Sequence, residues 1–226
     1  TAGTKNSAQS ARAVAIGYQN EVIGGDSHAY GINNSINGAA SMAFGSGIEI
    51  NDSNSYGLGS GHEINDDGCA VIGDGIVVNS GARFAQAMGS NCKVSALRSI
   101  ALGQNADSDI TGWISFASDR NAADGDRQLY MGTMQRETTD ATASELLVRG
   151  QADQIAMPND SVLIGEAHVC GYVTAGANAG LAWASHVHFA VKCGAAGVMV
   201  DLGTLWLDRS LDLGAYAGAA ALDLTT

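Results

Sequence analysis

Apolar residues recur along the first half of the chain in short runs that each end in glycine, such as AVAIG, SMAFG and SIALG. A second apolar residue follows five positions after the glycine. The closing glycines stand fourteen residues apart, with one interval of sixteen, and are Gly17, Gly31, Gly45, Gly59, Gly73, Gly89 and Gly103. A fixed period of this kind indicates stacked repeats, each a small unit that packs only against its neighbours.

Each repeat is predicted to form two strands that differ in burial. Successive side chains of a strand point to opposite faces. In residues 13–16 (AVAI) neither face is polar, so both faces of this first strand are expected to be covered. The second strand, such as residues 49–51 (EIN), alternates and is expected to be covered on one face only. Because one coil can cover only one face of the first strand, we expect a symmetric partner to cover the other.

The repeat phrase SxAIGxxxxI resembles the head repeat of trimeric YadA-type adhesins, and related repeats occur in bacteriophage tail fibres. The resemblance covers about seven units, residues 13–103. It implies an all-β fold, a left-handed parallel β-roll (a β-solenoid) of about seven coils that assembles as a homotrimer. His28, Tyr56 and Gln86 stand where other units have Val, Met or Ile, which implies a less uniformly apolar seam along the inner strands at those levels.

The sixteen-residue interval is predicted to be an insertion in a turn. Val78 keeps its place five residues after Gly73, so the two extra residues fall within residues 79–84. Insertions in solenoids usually lie in turns. Residues 80–83 are therefore expected to bulge from the rod.

The residues after Gly103 carry a second resemblance. The position five after this glycine is Ser108, so the repeats are expected to end near residue 109. The phrases GDRQ and TTDATASELLVRG resemble a junction in the C-terminal parts of phage and prophage tail fibres, which favours a phage fibre over a bacterial adhesin. We therefore divide the chain into β-roll repeats (1–109), a junction or neck (110–145) and a tip domain (146–226).

The C-terminal region is predicted to be a small antiparallel β-sandwich. Short strands are expected at 161–165, 167–174, 181–191 and 197–207, separated by turn signals such as residues 158–160 (PND). The phrase IAMPNDSVLIGEAHVCGYV resembles the opening strands of a fibre-tip domain.

Two histidines in this region are the candidate metal ligands. His186 and His188 are separated by one residue and so share a face of the predicted strand. In a trimer, three such pairs would present six nitrogens around the axis, a set suited to a transition metal. Iron bound by such pairs is a feature of some phage fibre tips. Exposed or hydrogen-bonded histidines without a metal are the alternative.

A second candidate cation site lies on the repeats. Asp52 and Asp66 recur at one coil position and Glu49 and Glu63 at another, and residues 62–67 (HEINDD) form an acidic cluster. Stacked carboxylates repel unless a cation bridges them, so this edge could hold a divalent ion. A solvated acidic edge is the alternative. At a neighbouring position, Asn37, Asn51, Asn65 and Asn79 are predicted to form a hydrogen-bonded ladder.

Composition restricts the partners of the chain. The net charge is −12 and the pI about 4.5, so there is no basic patch for nucleic acid or for an anionic membrane. No run of 18 apolar residues occurs, so no membrane insertion is expected. The sequence does not begin with Met, and we expect a fragment or a processed product. The cysteines show no metal-binding spacing and are expected to be buried, reduced residues: Cys69, Cys92, Cys170 and Cys193.

Together these features predict a non-enzymatic structural and receptor-binding module of a phage tail fibre or tip. The expected location is the virion tail, outside the cell, and no catalytic or cofactor-binding set is assigned. The expected partners are two further copies of the chain, other tail proteins, and a host-surface glycan or protein receptor. The alternatives are a fragment of a bacterial trimeric adhesin passenger and a glycan-cleaving tail spike, which would need a pair of carboxylates at a defined separation.

Overall fold

The computed structural model describes residues 2–119, 128–135, 147–148, 161–172, 182–193 and 199–208. These residues form strands, turns and bends, and none of them is helical, which confirms the predicted all-β class. The chain divides into two compact units, Thr1–Gln154 and Ile155–Thr226.

The first unit is a parallel β-solenoid of about eight turns, against about seven predicted. Each turn adds one strand to a ten-stranded sheet, here called the long-strand sheet, and one two-residue strand to an eight-stranded sheet, the short-strand sheet. The long-strand sheet contains β1 (Ala2–Thr4), β3 (Val14–Tyr18), β5 (His28–Ile32), β7 (Met42–Ser46), β9 (Tyr56–Ser60), β11 (Ala70–Asp74), β13 (Gln86–Ser90), β15 (Ile100–Gln104), β17 (Ile114–Ala117) and β18 (Gln128–Met131). The short-strand sheet contains β2 (Ser7–Ala8), β4 (Glu21–Val22), β6 (Ser35–Ile36), β8 (Glu49–Ile50), β10 (Glu63–Ile64), β12 (Val77–Val78), β14 (Lys93–Val94) and β16 (Asp107–Ser108).

The register of both sheets follows the sequence repeat. Each long strand pairs in parallel with the next, so that Gly31 lies beside Gly17 on one side and Gly45 on the other. The longer interval does not disturb this pairing, since Gly73 still lies opposite Gly89 and Val78 opposite Val94. The chain accommodates the two extra residues in the corner between β12 and β13, as predicted.

That corner is built around two small buried residues. The backbone N–H of Ala82 donates to the carbonyl of Asn79 (3.2 Å), and that of Ala85 donates to Ala82 (3.0 Å). Both alanines are fully buried. Phe84 lies outside, 45% exposed, with the Arg83 guanidinium 4.9 Å from its ring centroid.

The core runs along the inside of the coils. The short strands contribute one fully buried aliphatic residue per turn over six turns: Val22, Ile36, Ile50, Ile64, Val78 and Val94. The long strands oppose them with small residues, of which Ala15, Ala29, Ala43 and Ala101 are completely buried. Burial of each large aliphatic side chain contributes about 1.5–3 kcal/mol, so the core stabilises every turn by a similar amount.

The parallel pairing continues past residue 109. Ser108 occupies the inward position of β16 and is fully buried, although its sequence suggested that the repeat had faded. One turn later, β17 pairs in parallel with β15, with Ser115 in the buried position that alanine holds elsewhere. Small polar residues thus take the inward positions that Val94 and Ala101 hold one turn earlier.

The end of the solenoid is closed by β18. This strand pairs with β17 in the antiparallel direction and so ends the series of parallel strands in the long-strand sheet. The side chain of Gln128 also reaches the edge of the short-strand sheet. It donates to the carbonyl of Asp107 (2.8 Å) and accepts from the Asp107 N–H (2.9 Å), as a paired strand would. Two further short strands, β19 (Met134–Gln135) and β20 (Leu147–Val148), pair with each other.

The described part of the second unit is one antiparallel sheet of three strands. These are β21 (Ser161–Tyr172), β22 (Ala182–Cys193) and β23 (Met199–Asp208), with β22 in the centre. The expected short strands at 161–165 and 167–174 are wrong, because β21 runs without interruption through Gly165. A Cβ at Gly165 would collide with the ring of Phe189, so this glycine provides space for an aromatic ring rather than a turn. The second layer of the predicted sandwich lies outside the described residues.

Candidate functional site

The outward face of the long-strand sheet carries a continuous row of large, predominantly apolar side chains. In each strand the residue before the repeat glycine points away from the coil, next to a small residue that points inside. This row, here called the outer apolar column, aligns in register along the solenoid as Ile16, Tyr30, Phe44, Leu58, Ile72, Met88, Leu102 and Phe116. Six of the eight are between 37% and 53% exposed, and Tyr30 and Leu102 are half-buried.

The described part of the chain therefore fully covers only one of the two apolar faces of these strands. Ala43 is fully buried, whereas its neighbour Phe44 is 39% exposed. The aromatic rings of Phe44 and Tyr30 stack with their centroids 4.7 Å apart, which orders this part of the column without covering it. Soluble monomers seldom expose a contiguous apolar patch of more than a few hundred Å² unless it contacts something.

A second outward row lies two residues before the first. The three residues that departed from the repeat motif, His28, Tyr56 and Gln86, all belong to this row. They point away from the coil interior, and Tyr56 is 53% exposed. Their polarity is therefore compatible with an intact core.

Buried polar side chains connect successive turns. The amide of Asn20 donates to the carbonyls of Ile16 (3.0 Å) and Gly31 (2.8 Å), and its oxygen accepts from the backbone N–H of Asn34 (3.1 Å). Since each of these groups is withdrawn from water, each hydrogen bond satisfies a donor or acceptor that would otherwise be costly to bury. These hydrogen bonds of Asn20 hold the corner of one turn against the next.

His62 occupies the same coil position four turns into the rod. It is 1% exposed, its Nε2 lies 3.0 Å from the carbonyl of Leu58, and its Nδ1 accepts from the backbone N–H of Ile76 at 3.3 Å. These contacts require the neutral ring with the proton on Nε2, so that it donates and accepts as the asparagine amide does. His62 is therefore part of the scaffold.

The acidic edge that includes Glu63, Asp66 and Asp67 is satisfied by the protein itself. Asp67 accepts hydrogen bonds from Asn54 (2.9 Å) and Arg83 (2.9 Å), which together hold the pKa of its carboxyl below the ordinary value. Asp66 accepts from the backbone N–H of Gly81 (2.6 Å). Within the described residues these carboxylates do not converge into a group of three metal-ligand atoms, so the divalent-cation hypothesis gains no support.

The predicted asparagine ladder beside that edge is confirmed for three of its members. The Asn37 amide donates to Asn51 and the Asn51 amide to Asn65, each at 2.8 Å. The fourth member, Asn79, donates instead to the Ser95 hydroxyl at 2.9 Å.

The predicted metal ligands His186 and His188 lie on the central strand β22, in a cluster with two residues of β21. His168 is the direct cross-strand partner of His186, and Glu166 is that of His188. The four side chains thus occupy the corners of a square on one face of the sheet. The imidazole rings of His168 and His186 stack with centroids 4.2 Å apart, and those of His186 and His188 lie 4.4 Å apart.

The carboxylate of Glu166 is the centre of this cluster. It lies 3.4 Å from His186 Nε2, 3.7 Å from His168 Nε2 and 3.9 Å from His188 Nδ1. His186 Nε2 is inaccessible to solvent and makes no hydrogen bond with any described residue. Three imidazoles and one carboxylate are a set of ligands that zinc and related ions accept.

Glu166 and His168 were missed in the sequence, although the signal was present. The segment EAH (166–168) shows the same one-residue spacing as HVH (186–188). Two such segments on neighbouring antiparallel strands place four side chains on one face. The pairing could not be assigned because it depends on the length and path of the connection at 173–181.

The cysteines differ in exposure. Cys69 and Cys92 are buried, as expected, whereas Cys170 is exposed on the face of β21 that carries His168, so the expectation that it would be buried is wrong. None of these three forms a disulfide with another described residue. The side chain of Cys193 lies outside the described set.

No protein-family model matches this sequence, and a search of curated proteins finds no significant similarity to it. Among the described residues there is no helix long and apolar enough to cross a membrane. Function is therefore inferred from the geometry of the chain and the resemblances of its sequence.

Proposed function

We propose that this chain is a structural and receptor-binding module of a phage tail fibre or tail tip, which acts as a homotrimer and attaches to the host cell surface. In this proposal the solenoid is a left-handed β-roll that serves as the shaft. The C-terminal unit is a β-sandwich that serves as the tip. The observation that carries the proposal is the outer apolar column, most of whose side chains stay exposed among the described residues.

Trimerisation explains the column energetically. Six of its eight side chains keep a large part of their surface in water, and complete burial of one of them would contribute about 1 kcal/mol, half of the value for a fully exposed aliphatic residue. The sum over these six, on the order of 6 kcal/mol per chain, helps to offset the entropy lost when chains associate. Ligands seldom match a straight row of this length, whereas identical rods aligned side by side match it at every level.

A closed symmetric assembly also explains why the column keeps one register along the solenoid. Because the strands are in register at every level, the outward side chains lie at one angular position around the rod. Three copies around a parallel axis then bring equivalent residues together at each level. Such a rod has the stiffness that a fibre needs, and the chain has an acidic surface that keeps it in solution.

Attachment is assigned to the C-terminal unit and to the corners of the rod, in keeping with the resemblance of residues 125–128, 138–150 and 155–173 to fibre C-termini. The receptor would be a glycan or a protein of the host surface, and other tail proteins would hold the opposite end. The module would thus work outside the cell, as part of the virion.

Two measurements test the proposal. Light scattering coupled to size-exclusion chromatography should give a mass three times 23.0 kDa. The purified trimer should bind intact cells of a susceptible bacterial strain and should not bind an isogenic strain selected for resistance to fibre-mediated adsorption. A stable monomer would contradict the trimeric shaft. Shortening of purified capsular or O-antigen polysaccharide by the protein would contradict the non-enzymatic function and favour a glycan-cleaving spike.

A further inference from the structure

We propose that Glu166, His168, His186 and His188 form a binding site for one zinc-like transition-metal ion within a single chain. The ion would connect β21 to β22 and act as a structural staple of the C-terminal unit. The proposal does not depend on the trimer or on the identity of the receptor, because all four ligands belong to the same chain.

The backbone already places the four side chains together. Antiparallel pairing sets His168 opposite His186 and Glu166 opposite His188, and residues two apart on one strand share a face. Directly opposite residues have Cβ atoms about 4.5–5.5 Å apart, which is within reach of a common ion for imidazole and carboxylate side chains. The register between β22 and β23 shifts directly after His188, and such bulges redirect side chains and are common beside functional sites.

The measured separations are close to those of a tetrahedral site. With metal–ligand bonds of 2.0–2.2 Å, two ligand atoms of a tetrahedral zinc ion lie about 3.3–3.6 Å apart. The Glu166 carboxylate lies 3.4, 3.7 and 3.9 Å from the nearest nitrogens of His186, His168 and His188. The ligand atoms of Glu166, His168 and His186 all lie within 4.8 Å of one another. Small side-chain rotations that separate the stacked rings would complete the site.

The state of His186 gives an independent reason to expect a ligand. Its Nε2 atom is shielded from solvent and has no hydrogen-bond partner among the described residues, although it points towards Glu166. A nitrogen in this state is unfavourable, because burial has removed the water that would otherwise form a hydrogen bond with it. A metal ion bound by Nε2 and the carboxylate would remove that cost.

The ligand set also selects the class of ion. Three imidazole nitrogens and one carboxylate oxygen suit Zn²⁺, Co²⁺, Ni²⁺ and Cu²⁺, whereas Ca²⁺ and Mg²⁺ prefer oxygen ligands. Four protein ligands correspond to a closed, structural zinc site rather than to a catalytic one. We therefore assign the site to zinc, with Co²⁺ as its spectroscopic substitute.

The stoichiometry separates this site from the one predicted from the sequence. A site built from His186 and His188 of three chains on a common axis would bind one ion for every three chains. The single-chain site binds one ion per chain.

The test uses the full chain without a histidine tag, freed of metal by a chelator. Isothermal titration with ZnCl₂ should give one ion per chain, and CoCl₂ should give the intense visible absorption of tetrahedral Co²⁺. Titration with MgCl₂ should give no binding. The variants Glu166→Gln, His168→Gln and His186→Gln should each raise the Kd for Zn²⁺ at least about 10–100-fold, since loss of an outer-shell partner alone has an effect of that size.

Two control variants define the site. His28→Gln removes a histidine of the solenoid, and Cys170→Ser removes the exposed thiol two residues after His168 on the same face. Both should leave the Kd for Zn²⁺ unchanged. Since the Glu166 and His168 side chains are 57% and 74% exposed, their substitution should also leave the circular dichroism spectrum of the metal-free protein unchanged.

Each of the following three outcomes would overturn the assignment of this zinc site. One ion per three chains would identify the axial site instead. Absence of Zn²⁺ binding to the wild-type chain would rule out a site on this face. A loss of affinity in Cys170→Ser as large as that in His168→Gln would replace the carboxylate and imidazole set by one that includes a thiolate.

Discussion

Ala15 and Ile16 are consecutive residues of β3, yet Ala15 is completely buried inside the coil and Ile16 is 39% exposed on its outer face. The same relationship recurs on the neighbouring strands, and it divides the apolar residues of the solenoid into two sets. The inner set stabilises the coil of one chain. The outer set contributes little to that coil and is available for contacts between chains.

Substitution of Leu58 by aspartate should separate these two roles. Leu58 is 50% exposed in the middle of the outer apolar column. A carboxylate buried between chains without a partner costs several kcal/mol, so Leu58→Asp should convert the proposed trimer to monomers while the monomer stays folded. Light scattering measures the oligomeric state, and circular dichroism shows whether the monomer is folded.

The matched control is Glu63→Lys, which changes an exposed residue of the short-strand sheet and should leave the proposed trimer intact. A trimeric Leu58→Asp protein would show that the column does not lie in the interface.

Gly45 should be far more sensitive to substitution than Gly47. Gly45 has φ +143°, and a Cβ there would overlap the carbonyl oxygen of Gly59 in the next turn. Gly45→Ala should therefore reduce the free energy of unfolding by at least about 3 kcal/mol, the upper end for a strained backbone position. Gly47 has φ +64°, and a Cβ at this position would meet no atom closer than 3.9 Å, so Gly47→Ala should cost about 1–2 kcal/mol. Urea unfolding followed by circular dichroism compares them, and equal losses would show that the turns are not packed as described.

Gln128 should protect the open edge of the short-strand sheet. Its side-chain amide makes the two hydrogen bonds with the backbone of Asp107 that a neighbouring strand would make. Gln128→Leu removes both of them at a partly buried position, and the free energy of unfolding should fall by about 1–3 kcal/mol. The Asp107 amide should also exchange its hydrogen faster. Gln104→Leu, an exposed residue on β15, is the control and should change neither quantity. Unchanged exchange in Gln128→Leu would contradict the capping role.

The thiols should react in a defined order. Burial raises the pKa of Cys69 from 9.0 to about 11, which lowers its thiolate fraction near neutral pH about 100-fold. Cys170 is exposed. Brief treatment with iodoacetamide at pH 8, followed by peptide mass spectrometry, should therefore modify Cys170 and should not alkylate the buried Cys69 and Cys92 until the protein is unfolded. Rapid modification of Cys69 in the folded protein would mean that the coil opens locally.

The solenoid was predictable because its geometry is repeated in the sequence. A strict register aligns Gly31 with Gly45 at the same interval that separates them in the chain, so the period directly predicts the pairing of strands. The position of the two-residue insertion followed from the same reasoning. The end of the solenoid was harder to predict, because Ser108 and Ser115 fill inward positions by size and do not show the apolar signature.

The C-terminal unit has no such repeat, and its pairing depends on connections that the sequence does not determine. Gly165 illustrates this limit, since glycine is equally suited to a turn and to the close approach of an aromatic ring such as that of Phe189. For the same reason, only two of the four residues in the histidine cluster were predicted. Spacing within one strand placed His186 beside His188, but only the register between strands adds Glu166 and His168.

The corner between β12 and β13 shows how such a protein can change its surface over evolution. Two additional residues enter there, and both adjacent sheets keep their pairing. The length of a corner is thus independent of the stacking of the coils. Loops can be lengthened, replaced or exchanged at this point, and new surfaces can be selected, while the rod that carries them folds as before.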